Sequence, residues 1–284
     1  MRSLLFAPGA SARMMAGALA GTADAVVLDL EDSVPPDGKA AARSAVAAAL
    51  AGPRRAGRSI YVRVNPLGSV WYEDDLQAVL PARPDGIMLP KANGPEDVEH
   101  LAQQLSRLEA SDRAGQTQII AICTETPGGT LSLAARSWRH PRLTGLLWGG
   151  EDLAAALGAT GNRDTSGQYA GPFALARNLC LLAARAAGVT PIDAVYTDFR
   201  DTEGLVREAG AARRDGFSAK AAIHPAQIET INHTFSYTEA ERDWARRVVE
   251  VLQDGAVGAA QIDGVMVDVP HLMQAKRILA AAQK

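Results

Sequence analysis

Eight short apolar runs recur along the sequence, and each is followed by a stretch rich in alanine and leucine. The runs are apolar nearly throughout, which is typical of parallel strands that are covered on both faces. They lie at residues 3–8, 25–32, 60–65, 86–91, 118–125, 145–152, 193–198 and 219–225. Eight strand–helix units in series predict an α/β fold, a (β/α)8 TIM barrel.

The stretches between the runs carry helix signals. In 95–110, Pro95 occupies the first turn, Glu96 and Asp97 follow near the positive end of the helix dipole, and leucines recur on one face. The other barrel helices are predicted at 11–20, 38–51, 71–80, 127–136, 173–187 and 202–214. A doubly wound open sheet is the alternative, but no GxGxxG motif follows the first run.

The chain continues for about sixty residues after the eighth run. We predict two parts, a catalytic barrel at 1–225 and a C-terminal helical extension at 226–284. Within the extension the patterns predict a helix at 238–253, a Gly/Ala-rich hinge at 255–260 and an amphipathic helix near 270–283. A long loop, 157–171, is expected above the barrel after the sixth strand.

Composition excludes several classes of protein. The net charge is −3 and the arginines are dispersed, so nothing indicates a nucleic-acid binder. No apolar run approaches the length of a membrane span. Cys123 and Cys180 each lie in an apolar run, which is typical of buried thiols in a reducing compartment. We therefore expect a cytoplasmic protein.

Polar residues collect where the predicted strands end, which is where barrel enzymes place their active sites. Glu125 and Asp152 end consecutive strands, and adjacent strands are about 4.8 Å apart. Two carboxylates completed by water and substrate oxygens are a usual Mg²⁺ arrangement, and no His/Cys cluster suggests zinc. The ordinary alternative is that barrels have acidic strand ends. The other polar residues at strand ends are Asp29, Glu31, Asp32, Asn65, Glu151, Asp198 and His224.

Two basic residues also lie on predicted strands. Arg63 lies inside an apolar run, so it needs an acidic partner, Asp29 or Glu31, or an anionic ligand beside the metal. Lys91 ends the fourth strand, where a lysine with a lowered pKa would suit a Schiff-base aldolase. Its ordinary alternative is an ion pair with Glu125 or a place on the barrel rim.

Seven motifs, in order along nearly the whole chain, resemble those of the citrate lyase β-subunit-like family within the HpcH/HpaI aldolase/citrate lyase superfamily. They are RSLLFAPG, VVLDLEDSVPPDGKAAAR, VRVN, IMLPKA, ETPGG, WGGEDLAAALG and GFSAKAAIHPAQI. The resemblance implies a Mg²⁺-dependent carbon–carbon lyase related to malyl-CoA and citramalyl-CoA lyases. Such an enzyme cleaves or forms a 3-hydroxyacyl thioester, giving an acyl-CoA and a 2-oxo acid through a thioester enolate.

The resemblance also implies roles for particular residues. Glu125 and Asp152 would bind one Mg²⁺ per subunit, and Arg63 would hold the oxo-acid end of the substrate. Arg63 and backbone N–H groups around Gly150–Asp152 would stabilise the negative charge of the thioester enolate. The expected substrate-binding set is therefore Arg63, Glu125, Gly150, Glu151 and Asp152. Phosphates of CoA have candidate partners in Arg13, Lys39 and Arg43, for which a solvated surface position is the alternative.

Assembly is the remaining expectation from the resemblance. The extension is expected to act as a lid and oligomerisation element in a homotrimer or hexamer. Asp268, in the segment MVDVP, matches an acid that such lyases carry there, so it is a candidate general acid/base supplied to a neighbouring subunit. Its ordinary alternative is a helix N-cap, with Pro270 in the first turn. The chain could instead be a β-type subunit that acts on an acyl group carried by an acyl carrier protein.

Overall fold

The structure is a computed structural model that describes residues 1–252 and 258–281. It divides into two compact units, Met1–Phe235 and Ser236–Lys284. The sequence placed the division at 225/226. In the structure the short helix that follows the eighth strand belongs to the first unit, where Ser3 donates a 2.7 Å hydrogen bond from Oγ to Oδ1 of Asn232.

The first unit is a closed barrel of eight parallel strands in sequence order. The strands are β1 (Ser3–Pro8), β2 (Ala25–Asp29), β3 (Ser59–Arg63), β4 (Gly86–Leu89), β5 (Gln118–Ile122), β6 (Leu143–Leu147), β7 (Thr190–Asp193) and β8 (Ala219–Ala222). β1 pairs with β2 on one side and with β8 on the other, so the sheet has no edge. The predicted TIM barrel is confirmed, and the open-sheet alternative is wrong.

Helices surround the barrel. They are α1 (Ala12–Ala20), α2 (Lys39–Leu50), α3 (Tyr72–Val79), α4 (Pro95–Leu108), α5 (Pro127–Ala135), α6 (Glu151–Leu157), α7 (Gly171–Ala187), α8 (Thr202–Asp215) and α9 (Ile228–Thr234). α4 begins at the predicted proline and buries the predicted face through Val98, Leu101 and Leu105. No helix among the residues described here is both long and apolar enough to cross a bilayer.

The strands bury both faces, which explains their continuous apolar sequence. One set of side chains fills the barrel interior, including Leu4, Val27, Met88 and Ile120. The neighbouring positions, such as Leu5, point outwards and pack against the helices in a larger cluster. The pleat therefore builds two apolar layers from one run of residues.

Two elements of the barrel differ from the sequence prediction. β7 is Thr190–Asp193, whereas the sequence placed it at 193–198. Pro191 explains the error, because proline argues against an internal strand, yet here it pairs in register with Leu146. The short helix α6 was also not predicted, since the sequence assigned 145–152 to a strand. Asp198 therefore lies in a loop and not at the end of a strand.

The second unit contains a hairpin that the sequence analysis missed. The described elements of this unit are α10 (Glu239–Leu252), β9 (Ala259–Ile262), β10 (Val265–Asp268) and α11 (Val269–Ala281), and β9 and β10 form the hairpin. β9 and β10 are antiparallel, and Asp263 and Gly264 between them both have positive φ. An Asp-Gly pair with that geometry is a strong hairpin signal. Of the predicted hinge at 255–260, residues 255–257 lie outside the described residues and Ala259 begins β9.

A buried ion network ties the last two strands to the helices. Lys220 on β8 is fully buried, and its Nζ donates to Asp193 Oδ2 at 2.6 Å, Glu208 Oε1 at 2.8 Å and Ala194 O at 2.7 Å. Burial alone would raise the pKa of Asp193, but Lys220 and Arg177 outweigh it and hold the pKa below its usual range. This network could not be predicted from the sequence, in which only one lysine in an apolar run marks it.

Substitution Lys220→Met should destabilise the barrel strongly. It leaves the buried carboxylate of Asp193 with one fewer cation, and removing one partner of a buried pair costs about 3–5 kcal/mol. We expect a fall of that size in the free energy of unfolding measured in urea. Arg207→Met is the control, because Arg207 is 69% exposed beside Glu203 and such pairs contribute about 0–1 kcal/mol. Equal effects of the two substitutions would contradict the prediction.

Candidate active site

The carboxyl ends of the barrel strands open into a cleft of about 100 Å³. The five residues of the predicted substrate-binding set all line it: Arg63, Glu125, Gly150, Glu151 and Asp152. A larger surface cleft of about 520 Å³ is lined by residues such as Gly115 and Pro141, which precede β5 and β6. It therefore lies at the opposite end of the barrel, where barrel enzymes do not place their chemistry.

Glu125 follows β5, and the turn after it explains its inward position. Thr126 caps α5 by accepting a 2.9 Å hydrogen bond from Gly129 N, and Pro127 occupies the first turn. Gly149 lies against the glutamate, because a Cβ at that position would meet Glu125 Cγ at 2.8 Å. Glu125 is 4% exposed as a result, which is an expensive place for a carboxylate.

The surroundings of Glu125 are short of positive charge. Burial first, and then the nearby carboxylates of Asp152 and Glu31, raise the pKa of Glu125 to about 8. The backbone N–H of Lys91, which donates to Oε2 at 2.5 Å, and the Arg63 guanidinium oppose this only in part. A cation near Glu125 would therefore lower the free energy of the ionised site.

Asp152 lies in the first turn of α6, directly after β6, and its side chain is 33% exposed. Its Oδ1 is 3.1 Å from Lys91 Nζ. Glu151 is exposed and accepts a 2.7 Å hydrogen bond from Asn162 Nδ2, which lines the same cleft from the loop before α7. Of the two adjacent acids, Asp152 is thus the one that joins the charged cluster with Glu125.

Arg63 has the acidic partners that the sequence analysis left open. Its Nε and Nη2 donate to the two oxygens of Asp29 at 2.7 and 2.8 Å, and Nη1 lies 2.7 Å from Glu31 Oε2. Burial alone would lower the pKa of Arg63, but Asp29 and Glu31 raise it above its usual value. Only two of the five N–H donors of the guanidinium are hydrogen-bonded to Asp29. The structural ion pair therefore leaves donors for an anion in the cleft.

Lys91 contacts more of the cluster than was expected. It has φ of +52°, which is uncommon for a residue with a side chain. Its ammonium group pairs with Glu31, with Asp152 at 3.1 Å and with Asp32 at 3.5 Å. Burial lowers the pKa of Lys91, but the surrounding carboxylates more than reverse this and raise it above its usual value. The expected pairing with Glu125 is made by the backbone N–H and not by the amine.

Two of the three candidates for CoA phosphates are already engaged in the barrel. Lys39 is buried, and its Nζ donates to Leu30 O, Glu31 O and Asn65 Oδ1 at 2.7–2.8 Å. Arg43 pairs with Asp75 at 2.7 Å. The solvated position considered for Lys39 is therefore wrong, and of the three only Arg13 is exposed in the structure.

Two other sequence candidates, His224 and Asp268, have local partners of their own. His224 is exposed, and its ring stacks on Phe199 with centroids 4.6 Å apart. Asp268 ends β10 in the second unit, with its side chain 34% exposed and Oδ1 2.6 Å from His271 Nδ1. It directly precedes α11, so its position also suits the N-cap alternative.

The donor set fits a cation that is held by few protein ligands. Within the described ranges, no three or more His, Cys, Asp or Glu side chains form a metal site. Glu125 and Asp152 nevertheless line one cleft, and the raised pKa of Glu125 marks unmet negative charge. Mg²⁺ is usually bound by one or two carboxylates and otherwise by water and substrate oxygens. The residues present therefore fit Mg²⁺ and not zinc.

Comparison with known proteins gives consistent matches over the chain. A family model described as HpcH/HpaI aldolase/citrate lyase matches residues 2–225. A (3S)-malyl-CoA thioesterase of Cereibacter sphaeroides is 37% identical over 285 residues, which cover 99% of this chain and 94% of the relative. The citrate lyase subunit beta of Escherichia coli is 34% identical over 287 residues, covering 99% and 93%. A crystal structure of protein CitE from Mycobacterium tuberculosis in complex with magnesium, acetoacetate and coenzyme A matches with a TM-score of 0.79 and 34% identity, covering 100% of this chain and 98% of that chain.

Proposed function

The chain belongs to the HpcH/HpaI aldolase/citrate lyase family, and from that premise we propose that it is a Mg²⁺-dependent carbon–carbon lyase acting on 3-hydroxyacyl thioesters. The observation that carries the proposal is the cleft in which Glu125, Asp152 and Arg63 meet. The substrates we propose are citryl-, malyl- or citramalyl-CoA, and the products are an acyl-CoA and a 2-oxo acid.

Each charged residue in the cleft has a proposed role. Glu125 and Asp152 hold Mg²⁺, which supplies Lewis-acid polarisation of the oxo group of the 2-oxo acid. Arg63 binds the carboxylate of the oxo acid through the donors that Asp29 does not use. Backbone N–H groups around Gly150–Asp152 and the Arg63 guanidinium stabilise negative charge on the thioester oxygen.

Cleavage breaks one carbon–carbon bond and transfers one proton. The substrate's hydroxyl loses its proton, the carbon–carbon bond next to it breaks, and the electron pair passes to the carbon beside the thioester carbonyl. The resulting enolate must then take up a proton at that carbon. We propose Asp268 as the acid/base that takes up the hydroxyl proton and delivers it to that carbon, because Glu125 and Asp152 are occupied by metal binding. His271 Nδ1, 2.6 Å from Asp268 Oδ1, orients the carboxyl group.

Supply of Asp268 to a neighbouring subunit is part of the same proposal. A lid from the second unit that closes over a neighbour's barrel would bring the acid/base into the cleft only when water is excluded. This arrangement requires a homo-oligomer, which we propose to be a trimer or a hexamer.

The Schiff-base alternative has little support in the geometry. A nucleophilic lysine must be deprotonated, whereas the ammonium of Lys91 pairs with three carboxylates and its pKa lies above its usual value. The carrier-protein alternative keeps the same chemistry and changes only what bears the acyl group. It rests on the similarity to a citrate lyase subunit beta.

An assay of the purified chain tests the proposal. We expect Mg²⁺-dependent release of a 2-oxo acid from at least one of citryl-, malyl- and citramalyl-CoA, without release of free thiol. Free CoA thiol without a 2-oxo acid would indicate a thioesterase, the activity named for the Cereibacter sphaeroides relative. Cleavage only when the acyl group is attached to an acyl carrier protein would favour the subunit alternative. Unchanged activity in excess chelator would contradict the metal role.

A further inference from the structure

Lys91 has an unusual position in the cluster, because it contacts three carboxylates, each of which follows a different barrel strand. Its ammonium group pairs with Glu31 and lies 3.1 Å from Asp152 Oδ1. Its backbone N–H donates to Glu125 Oε2 at 2.5 Å. At Lys91 the main chain adopts φ of +52°, a conformation that costs free energy for a residue with a Cβ and that persists only when surrounding contacts enforce it.

The charges of the cluster explain what the ammonium does there. Five carboxylates meet two cations: Asp29, Glu31, Asp32, Glu125 and Asp152 against Arg63 and Lys91. With all five acids ionised the net charge is −3, of which one divalent cation would offset two units. Arg63 is committed to Asp29 by two hydrogen bonds. Lys91 is therefore the cation whose ammonium group contacts one of the proposed metal ligands, Asp152.

We infer that the Lys91 ammonium is a resident counter-ion of this cluster, which a divalent cation must displace from Asp152 before the metal site forms. Lys91 keeps the acids together in the metal-free protein and opposes the binding of a bare metal ion. Glu31 retains the ammonium after displacement, because that ion pair involves neither Glu125 nor Asp152.

The inference extends to the order of binding, and this extension rests on the proposed function. A 2-oxo acid brings a carboxylate with it, so the metal together with the oxo acid carries less positive charge than the bare metal ion. The ammonium therefore repels the pair less than it repels the metal ion alone. Lys91 therefore favours joint binding of Mg²⁺ and the oxo acid over binding of Mg²⁺ alone.

Metal affinity without any substrate tests the displacement. We would titrate Mg²⁺ calorimetrically into wild type, Lys91→Met and Lys91→Arg, at alkaline pH so that protons compete little with the metal. A unit and a double charge about 5 Å apart in water repel enough to change affinity by roughly tenfold. We expect Lys91→Met to bind Mg²⁺ about tenfold more tightly or better, and Lys91→Arg to bind as wild type does. Methionine has a Cβ as lysine does, so the backbone strain is unchanged.

Arg107→Met is the matched control for loss of a positive charge. Arg107 lies in the last turn of α4 and lines the larger surface cleft at the opposite end of the barrel. It should leave Mg²⁺ affinity unchanged. Thermal melting with and without Mg²⁺ gives a second measurement, in which Lys91→Met should gain more stability from the metal than wild type. Lys91→Gln replaces Lys91→Met if the latter does not fold.

The outcomes separate this inference from the proposed function. Weaker Mg²⁺ binding by Lys91→Met would show that the lysine positions the metal ligands, and unchanged binding would show that the lysine does not affect Mg²⁺ affinity. Either result overturns this inference and leaves the proposed function standing. No Mg²⁺ binding by wild type would overturn the metal site as well. In a second titration, Mg²⁺ is added with pyruvate, glyoxylate or oxaloacetate present. The oxo acid should increase the affinity for Mg²⁺ more in wild type than in Lys91→Met. Equal gains would overturn the coupling.

Discussion

Substitution Asp152→Asn should abolish lyase activity while the barrel stays folded. Asparagine keeps the shape of the side chain and removes the charge that Mg²⁺ requires. A metal acting as a Lewis acid contributes several kcal/mol to the transition state, and about 1.4 kcal/mol corresponds to a tenfold change in rate. We therefore expect turnover to fall by about 10³-fold or more and Mg²⁺ binding to become undetectable by calorimetry.

Stability should change little, because the Asp152 side chain is 33% exposed and loses only its contact with Lys91. Circular dichroism and the melting temperature check this point. Asp198→Asn is the control, since Asp198 is an exposed acid in the loop after β7 and is not proposed to bind metal. Wild-type turnover in Asp152→Asn would remove Asp152 from the metal site, and with it the proposed mechanism.

Substitution Asp268→Asn should lower turnover by about 10²–10⁴-fold, the usual contribution of a positioned general acid/base. Mg²⁺ and oxo-acid binding should stay at wild-type levels, because Asp268 belongs to neither proposed site. Asparagine caps helices about as well as aspartate, so the melting temperature should change little. The variant therefore separates the acid/base role from the capping role.

Asp263→Asn is the control in the same hairpin. Asp263 pairs with Arg247 through two contacts of 2.7 and 2.8 Å, and its side chain is 70% exposed. It should retain full turnover. If Asp268→Asn also turns over normally and Asp268→Ala only melts earlier, Asp268 is a helix cap and not the acid/base.

Mixed oligomers test whether Asp268 acts on a neighbouring subunit. Asp152→Asn and Asp268→Asn chains would be co-expressed with different affinity tags and purified over both. If Asp268 acts on a neighbouring subunit, some barrels with an intact metal site receive an intact Asp268 from the other chain, so part of the activity should return. If no activity returns, each lid acts on its own barrel, and the intersubunit part of the proposal fails.

The sequence predicted the fold where its local signals agreed with the tertiary structure. α4 was found because Pro95, two acids and a leucine face all indicate the same helix. β7 was misplaced because Val195 and Tyr196 resemble a strand better than Thr190–Asp193 does. The hairpin in the second unit was missed, although the Asp263-Gly264 pair is a sequence signal for its turn. The family resemblance found in seven motifs is confirmed.

The candidate site was predictable in part. Strand order alone indicated that Arg63, Glu125 and Asp152 would share the barrel mouth, and all three line one cleft. The partners were not predictable. Whether Arg63 meets Asp29 or a ligand depends on side-chain directions, and the positive φ of Lys91 depends on contacts with residues far away in the sequence. A sequence pattern shows which strand end carries a charge, but not which charges compensate one another.

Closure of the barrel between β1 and β8 has a consequence for synthesis on the ribosome. Ser3 and its partner Lys220 are more than 200 residues apart in the sequence. At about 5–20 residues per second, the first strand waits roughly 10–40 s for its second neighbour. During that time its outer edge offers unpaired backbone groups to any nascent chain nearby. Crowded polysomes should therefore favour pairing between chains, and slowing initiation should raise the yield of folded protein more than slowing elongation.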